Sequence, residues 1–256
     1  MAFAEIGGLA LEYELLPAHQ IDRPTLVFLH EGLGSIALWR DFPARIAQAT
    51  GCRTLIWSRI GYGQSAAAAR PRTVRYMHEE ALQVMPALFE RLGIERPVLV
   101  GHSDGGSIAL IHAGAFPDQV SGLVVLAPHE FVEDKALDGI RRAGKLYAAS
   151  DWRDKLGRYH REPDAVFRAW HDIWLSPAFA GWNIMEYLPA IRCPVLAIQG
   201  EDDEYATMRQ IDCIAEMVAD VESLKLADCR HSPHRDQPQA VQDALIAWLD
   251  RIQRAG

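Results

Sequence analysis

A chain of 256 residues, 49% of them hydrophobic, is long enough to bury one substantial core or two small ones and has the make-up of a folded globular protein. Its 34 acidic against 26 basic residues leave a formal net charge of -8, which disfavours nucleic acid and anionic membrane as partners. Cys52, Cys193, Cys213 and Cys229 lack the spacing of zinc or redox sites, so free thiols in a reducing compartment are expected and metal binding is not.

At the start of the chain, residues 1–11 lack a basic run followed by an apolar core, and no later segment approaches the ~18 uninterrupted apolar residues of a membrane span. The expectation is a cytoplasmic protein. Residues 3–6 and 9–15 read as an antiparallel lead-in hairpin turned at Gly7-Gly8. Strand-like and helix-like runs then take turns: 25–29 and 38–49, 53–57 and 74–92, 97–100 and 105–115, and finally 120–126. That rhythm belongs to a mostly parallel sheet with helices on both faces. After Pro128 the character changes. Residues 132–187 carry charges and aromatics at helical spacing, among them Trp152, Tyr159, Phe167, Trp170, Trp174, Phe179 and Trp182, with no good strand candidate. The alternation resumes with 194–199, 208–219, 221–226 and 240–252. The economical division is a core of residues 1–131 and 188–256 with a helical cap, 132–187, over the carboxyl ends of the strands, where open α/β sheets bind ligands. Most cap aromatics are expected to fasten the cap, and one or two to line a pocket.

Gly101-His102-Ser103-Asp104-Gly105 follows the apolar run Val98-Leu99-Val100 and opens a helix-compatible stretch of small residues. Ser103 therefore sits at a strand-to-helix elbow, the placement of a nucleophile, with glycines two before and two after it where the turn crowds the backbone. A serine hydroxyl needs a base, and imidazole has the nearest suitable pKa. His231, in Cys229-Arg230-His231-Ser232-Pro233, leaves the last strand at the carboxyl edge of the sheet. His234 is the rival, but its run His234-Arg235-Asp236-Gln237 suggests an exposed loop or helix entry; His102 should point away from the nucleophile and pack beside the elbow. The imidazole needs an acid, and Glu201, Asp202, Asp203 and Glu204 all follow Gly200 at the right edge; residue chemistry does not choose among them.

Backbone N–H groups suit an oxyanion. One is expected from Asp104, the other from the loop His30-Glu31-Gly32-Leu33-Gly34-Ser35, with Gly32 preferred to Leu33. His30 is read as fixing the shape of that loop. Glu31 either pairs with Arg59 or another base or is solvated, and Trp39 and Tyr205 are further candidates for pocket lining or loop support. The acidic run 201–204 lacks a calcium-loop pattern, and no phosphate-binding glycine motif is present, so neither metal nor nucleotide cofactor is expected.

In the order and spacing of these segments the chain resembles the α/β-hydrolase superfamily, in its serine hydrolase type with a helical cap. The resemblance implies a mostly parallel eight-stranded sheet. It matches Ser103 to the nucleophile, Asp203, three after Gly200, to the acid, with Asp202 as backup, and His231-Ser232-Pro233 to the histidine segment; Gly32 and Asp104 match the oxyanion donors. The run from Ser58 to Ser65 resembles the family's tyrosine-glycine loop. Departures are Glu31 and Arg230, each where relatives carry glycine, and Ser58 in place of aspartate.

Resemblance and residue chemistry together lead to a serine esterase: hydrolysis of a carboxylic ester of a small apolar or aromatic compound through an acyl-enzyme, without cofactor. A lactonase, a thioesterase or a carbon–carbon bond hydrolase of aromatic catabolism would use the same triad. Dehalogenation is disfavoured because relatives performing it carry aspartate at the elbow. A ligand-binding module without turnover is the reading from a different class. The expected partner is a small acyl substrate, with no nucleic acid and no membrane; the sequence is compatible with a homo-oligomer.

Overall fold

The computed structural model describes residues 1–255. Gly7 and Gly8 both take positive φ, 58° and 79°, as the tight hairpin between β1 (Ala2–Ile6) and β2 (Leu9–Leu16) requires. Beyond it come β3 (Leu26–Leu29), α1 (Phe42–Thr50), β4 (Thr54–Trp57), α2 (Tyr76–Glu79), α3 (Met85–Leu92), β5 (Val98–His102), α4 (Asp104–Ala115) and β6 (Gly122–Leu126). Three helices, α5 (Asp134–Ala149), α6 (Trp152–Gly157) and α7 (Pro163–Trp174), fill most of the interval before β7 (Val195–Gly200). The chain closes with α8 (Arg209–Met217), β8 (Val221–Leu226), α9 (Pro233–Asp236) and α10 (Pro238–Ala255).

The eight strands form one sheet in the order β1-β2-β4-β3-β5-β6-β7-β8. Every pairing from β4 onward is parallel, and only β1 with β2 and β2 with β4 run antiparallel. Strands β3, β4, β5, β6 and β7 are buried at every position. That is why they read as unbroken apolar runs rather than alternating ones. Edge strand β8 has partly buried and exposed residues and no fully buried one. One apolar core, with Trp39, Phe42 and Trp248, packs α1 and α10 on one face; the other, with Trp57, Leu88 and Ile108, packs α2 to α4 on the opposite face and continues into the inserted helices.

Two details differ from the sequence reading. The stretch 74–92 is helical from Tyr76 to Leu92 but not α-helical throughout: a π-helical turn, Glu80–Val84, lies between α2 and α3. Pro86 follows it near the start of α3, and a ring without N–H that crowds the carbonyl four residues back is a sufficient cause for the widened turn. The second is that 38–49 begins as a 3₁₀ turn, Ile36–Trp39, before α1.

Candidate active site

Strand β5 delivers Ser103 to a sharp bend in which its own backbone adopts φ 52° and ψ -119°, a conformation L-residues avoid. The flanking glycines are sterically required. A Cβ on Gly101 would collide with the carbonyl of Gly105, and one on Gly105 with the carbonyl of Leu29. The bend is tied on both sides, Ser103 N–H to Leu126 O at 2.9 Å and Ser107 N–H to Ser103 O at 3.0 Å.

His231, in the loop after β8, brings Nε2 to 3.0 Å from Ser103 Oγ, while its Nδ1 lies 2.9 Å from both carboxylate oxygens of Asp203. Of the four adjacent acids, Asp203 alone is buried; Glu201 and Asp202 face solvent. Asp203 Oδ1 also accepts the N–H groups of Tyr205 (2.8 Å) and Ala206 (3.1 Å), and Glu204 Oε2 accepts the backbone N–H of His231 (3.1 Å). Burial pushes Asp203 up, but the His231 charge and these hydrogen bonds outweigh it and hold the carboxyl at about 2. Burial likewise pulls His231 down, and the Asp203 carboxylate more than compensates, so the imidazole sits above its ordinary 6.5.

Facing the elbow, the loop after β3 has four consecutive carbonyls held from behind. Arg59 Nη2 donates to His30 O (3.4 Å) and Glu31 O (2.9 Å), the Tyr62 hydroxyl to Gly32 O (2.8 Å), and His160 Nε2 to Leu33 O (3.0 Å). In a trans peptide the N–H opposes the preceding C=O, so anchoring Glu31 O turns the Gly32 N–H the other way. Asp104 opens α4, and a first-turn amide has no acceptor inside its helix. These are the two amides the sequence nominates. Arg59 also joins them: the same Nη2 lies 3.5 Å from Asp104 Oδ2, which accepts the Tyr76 hydroxyl at 2.8 Å. His30 accepts the Arg59 N–H at Nε2 (3.1 Å) and donates from Nδ1 to Glu31 O (2.7 Å). Burial, then the charge of Arg59, keeps it well below 6.5, so it is a neutral staple of the loop.

Glu31 pairs not with the Arg59 side chain but with two other bases. Oε2 lies 3.6 Å from His102 Nδ1 and Oε1 3.6 Å from Arg235 Nη2. His102 turns away from Ser103 and donates Nε2–H to the carbonyl of His231 at 2.7 Å. His234, expected at an exposed loop or helix entry, is instead buried at 4% exposure. Pro233 starts the short α9, and the imidazole lodges against the rings of Trp39 (4.8 Å), His102 (4.8 Å) and Phe42 (5.5 Å). Trp39 thus supports the loops from below and does not line the cavity. Tyr205 does line it, with its ring 4.8 Å from that of His231.

A cavity of about 270 Å³ lies above Ser103. The inserted helices supply an apolar wall of Ala136, Ile140, Trp152, Leu156, Trp170 and Trp174, and the core loops a polar one that includes Glu31, Glu204 and Arg235. Three of the nine cap aromatics, Trp152, Trp170 and Trp174, therefore face the cavity; Phe167, Phe179 and Trp182 pack among other rings. Trp170 lies directly on the oxyanion loop, since a Cβ on Gly32 would collide with its ring. Sequence reasoning missed Tyr76, His129 and His160 at this site, and for His160 and Tyr76 no local signal exists because their partners lie far away in the chain. Among the described residues no group of three or more His, Cys, Asp or Glu side chains is placed to hold a metal ion, and no helix is long and apolar enough to cross a membrane.

A serine at a strand-to-helix elbow, within reach of a histidine that is itself paired with a buried carboxylate, on a mostly parallel eight-stranded sheet, is the architecture of an α/β-hydrolase. The model of the alpha/beta hydrolase family matches residues 26–244, and the chain belongs to that family. It is similar to the sn-1-specific diacylglycerol lipase ABHD11 of Mus musculus, 34% identical over 123 residues, which cover 48% of this chain and only 38% of that lipase. It is 30% identical over 240 residues to the 2-succinyl-6-hydroxy-2,4-cyclohexadiene-1-carboxylate synthase of Enterobacter sp. (strain 638), covering 91% of this chain and 84% of the synthase. Among solved structures, one from work on carboxylesterases of the Thaumarchaeon Nitrososphaera gargenis superposes with a TM-score of 0.79 at 20% identity, covering 99% of this chain and 100% of the other, and so shares its fold.

Proposed function

We propose that the protein is a serine hydrolase that cleaves carboxylic esters of small apolar or aromatic compounds through an acyl-enzyme. The observation that carries this reading is the unbroken relay from Asp203 through His231 to Ser103, with separations of 2.9 and 3.0 Å. His231 Nε2 takes the proton of Ser103 Oγ as that oxygen attacks the ester carbonyl. The developing oxyanion receives the Gly32 and Asp104 N–H groups, each donor contributing about 10²–10³ in rate. His231 then hands its proton to the departing alkoxide, and water, deprotonated by the same nitrogen, releases the acid. Asp203 stays ionised throughout and steadies the imidazolium. The small cavity and its tryptophan wall favour short or aromatic groups over long chains.

The test is a panel of 4-nitrophenyl esters, lactones, acyl thioesters and ring-fission diketones, run with the intact protein and with Ser103→Ala. Short or aryl esters are expected to be the best substrates, with a loss of about 10⁶ in kcat on removing the nucleophile. Preference for another arm of the panel would reassign the scissile bond. No turnover at all, together with failure of a serine-directed phosphonate to label Ser103, would overturn the reading and leave a binding module.

A further inference from the structure

Besides His231 and His102, the cavity is lined by an imidazole that the proposed relay does not use. His129 follows β6 and lines the cavity above Ser103, 3% exposed, its ring 5.7 Å from that of His231 and 5.1 Å from Trp174. Its backbone is locked to the nucleophile helix by one side chain. Ser107, one turn beyond Ser103, accepts the His129 N–H at Oγ (3.0 Å) and donates its hydroxyl to His129 O (2.6 Å). The His129 backbone is therefore tied to α4, the helix that Ser103 precedes.

The ring, by contrast, has no protein partner for Nδ1, which is occluded; Nε2 is left as the nitrogen a ligand in the cavity can reach. Burial, then the nearby His231, drives the group down to about 4, so it is a neutral imidazole. A polar nitrogen set in a wall otherwise made by Trp174 and its neighbours costs free energy unless something bonds to it. A hydroxyl fits either tautomer, since it both donates and accepts.

We propose that His129 selects substrates whose acyl group carries a hydroxyl on the α or β carbon, next to the scissile carbonyl. Its ring lies 5.7 Å from that of His231, whose Nε2 is 3.0 Å from Ser103 Oγ, so a group bonded to His129 sits close to the reacting serine. This deepens the esterase reading and rests on it. A hydroxyacyl ester gains the bond to His129, whereas its deoxy counterpart buries the nitrogen unpaired, and sites built this way discriminate far better than a methylene-sized slot does.

The experiment compares 4-nitrophenyl butanoate with its 2-hydroxy and 3-hydroxy analogues in the intact protein, His129→Phe and His129→Asn. At least one hydroxy ester is expected to exceed butanoate in kcat/KM by about 10- to 100-fold, the factor for one buried unpaired polar group. His129→Phe should bring that ratio to within about 3-fold of unity, and His129→Asn, which retains a donor and an acceptor, should restore part of it. Absence of a preference in the intact protein, or its survival in His129→Phe, overturns the proposal. A second measurement does not need turnover: calorimetric binding of the corresponding neutral amides to Ser103→Ala and to Ser103→Ala/His129→Phe. Tighter binding of a hydroxy amide that vanishes in the double variant supports the selection even if no ester is cleaved, in which case it is the hydrolase reading that fails. Equal affinities for hydroxy and deoxy amides overturn the selection.

Discussion

The two walls of the cavity are built differently. On the sheet side the relay and its loops are tethered: the Ser103 bend, the Asp203 carboxylate and four successive carbonyls of the loop after β3 each have named partners at hydrogen-bond distance. On the cap side the lining is apolar rings and aliphatic chains held by packing, such as the 3.8 Å stack of Tyr147 on Phe167 behind Trp152 and Trp170. Hydrogen bonds are directional and fix atoms to fractions of an ångström, as the proposed acyl transfer demands; dispersion contacts fix volume and leave shape open to change. Damage to the first wall should therefore lower kcat for every substrate, and damage to the second should redistribute activity among substrates.

The strongest test of that division is Asp203→Asn. Loss of the carboxylate is expected to lower kcat about 10⁴-fold whichever ester is used, as tautomer control is lost. The acid limb of kcat/KM reports deprotonation of His231, which Asp203 holds above 6.5, so activity rises with pH through a midpoint above that value; in the variant the limb should move down. An unmoved limb would detach Asp203 from the relay. Arg59→Met comes next. It releases the carbonyls of His30 and Glu31 together with Asp104, and a fall in kcat of up to about 10²–10³ with little change in KM is expected, bounded by the worth of one oxyanion donor. Equal losses in kcat and in thermal stability without weaker binding of a boronate analogue would reduce Arg59 to a folding role.

Trp152→Ala should act on selectivity instead: bulkier acyl groups gain about 10-fold relative to acetate, within the range of a few methylenes of pocket space. A uniform loss across chain lengths would erase the distinction between the walls. The smallest effect concerns Glu80, in the π-helical turn behind the oxyanion loop. Burial raises it to about 7 against the opposing pull of Arg59 and Arg72. Because the folded state holds that proton more tightly than the unfolded chain, stability falls as pH climbs from about 4.5 to 7. Glu80→Gln should therefore raise the melting temperature at pH 8 by about 2–4 °C and leave it nearly unchanged at pH 4.

The elbow was legible because everything that makes it is local: an apolar run, a serine, and glycines whose absent side chains leave room for Leu29 and Gly105 carbonyls. His231 was legible from its place after the last strand. The acid was not, since four neighbouring carboxylates differ only in which one turns inward, and family register was needed to single out Asp203. His234 misled because a polar run in sequence conceals a bed of rings, Trp39 and Phe42, nearly two hundred positions earlier. Sequence separation, 127 positions for His160 and 30 for Tyr62, likewise hid the clamps on the loop after β3, where the two side chains converge from separate segments. Which cap tryptophans face the cavity depends on how three helices lean on one another, and helical periodicity carries no record of that.

The conformation of Ser103 has a consequence for handling the protein. A residue held at φ 52° and ψ -119° stores about 1–3 kcal/mol that glycine, lacking a Cβ, does not incur. A form made as Ser103→Gly should thus outlast both the native protein and Ser103→Ala on heating, and would be the better vehicle for trapping an uncleaved ligand of the proposed ester class. The bend at Ser103 is then a place where this molecule forgoes durability to hold a side chain in one position.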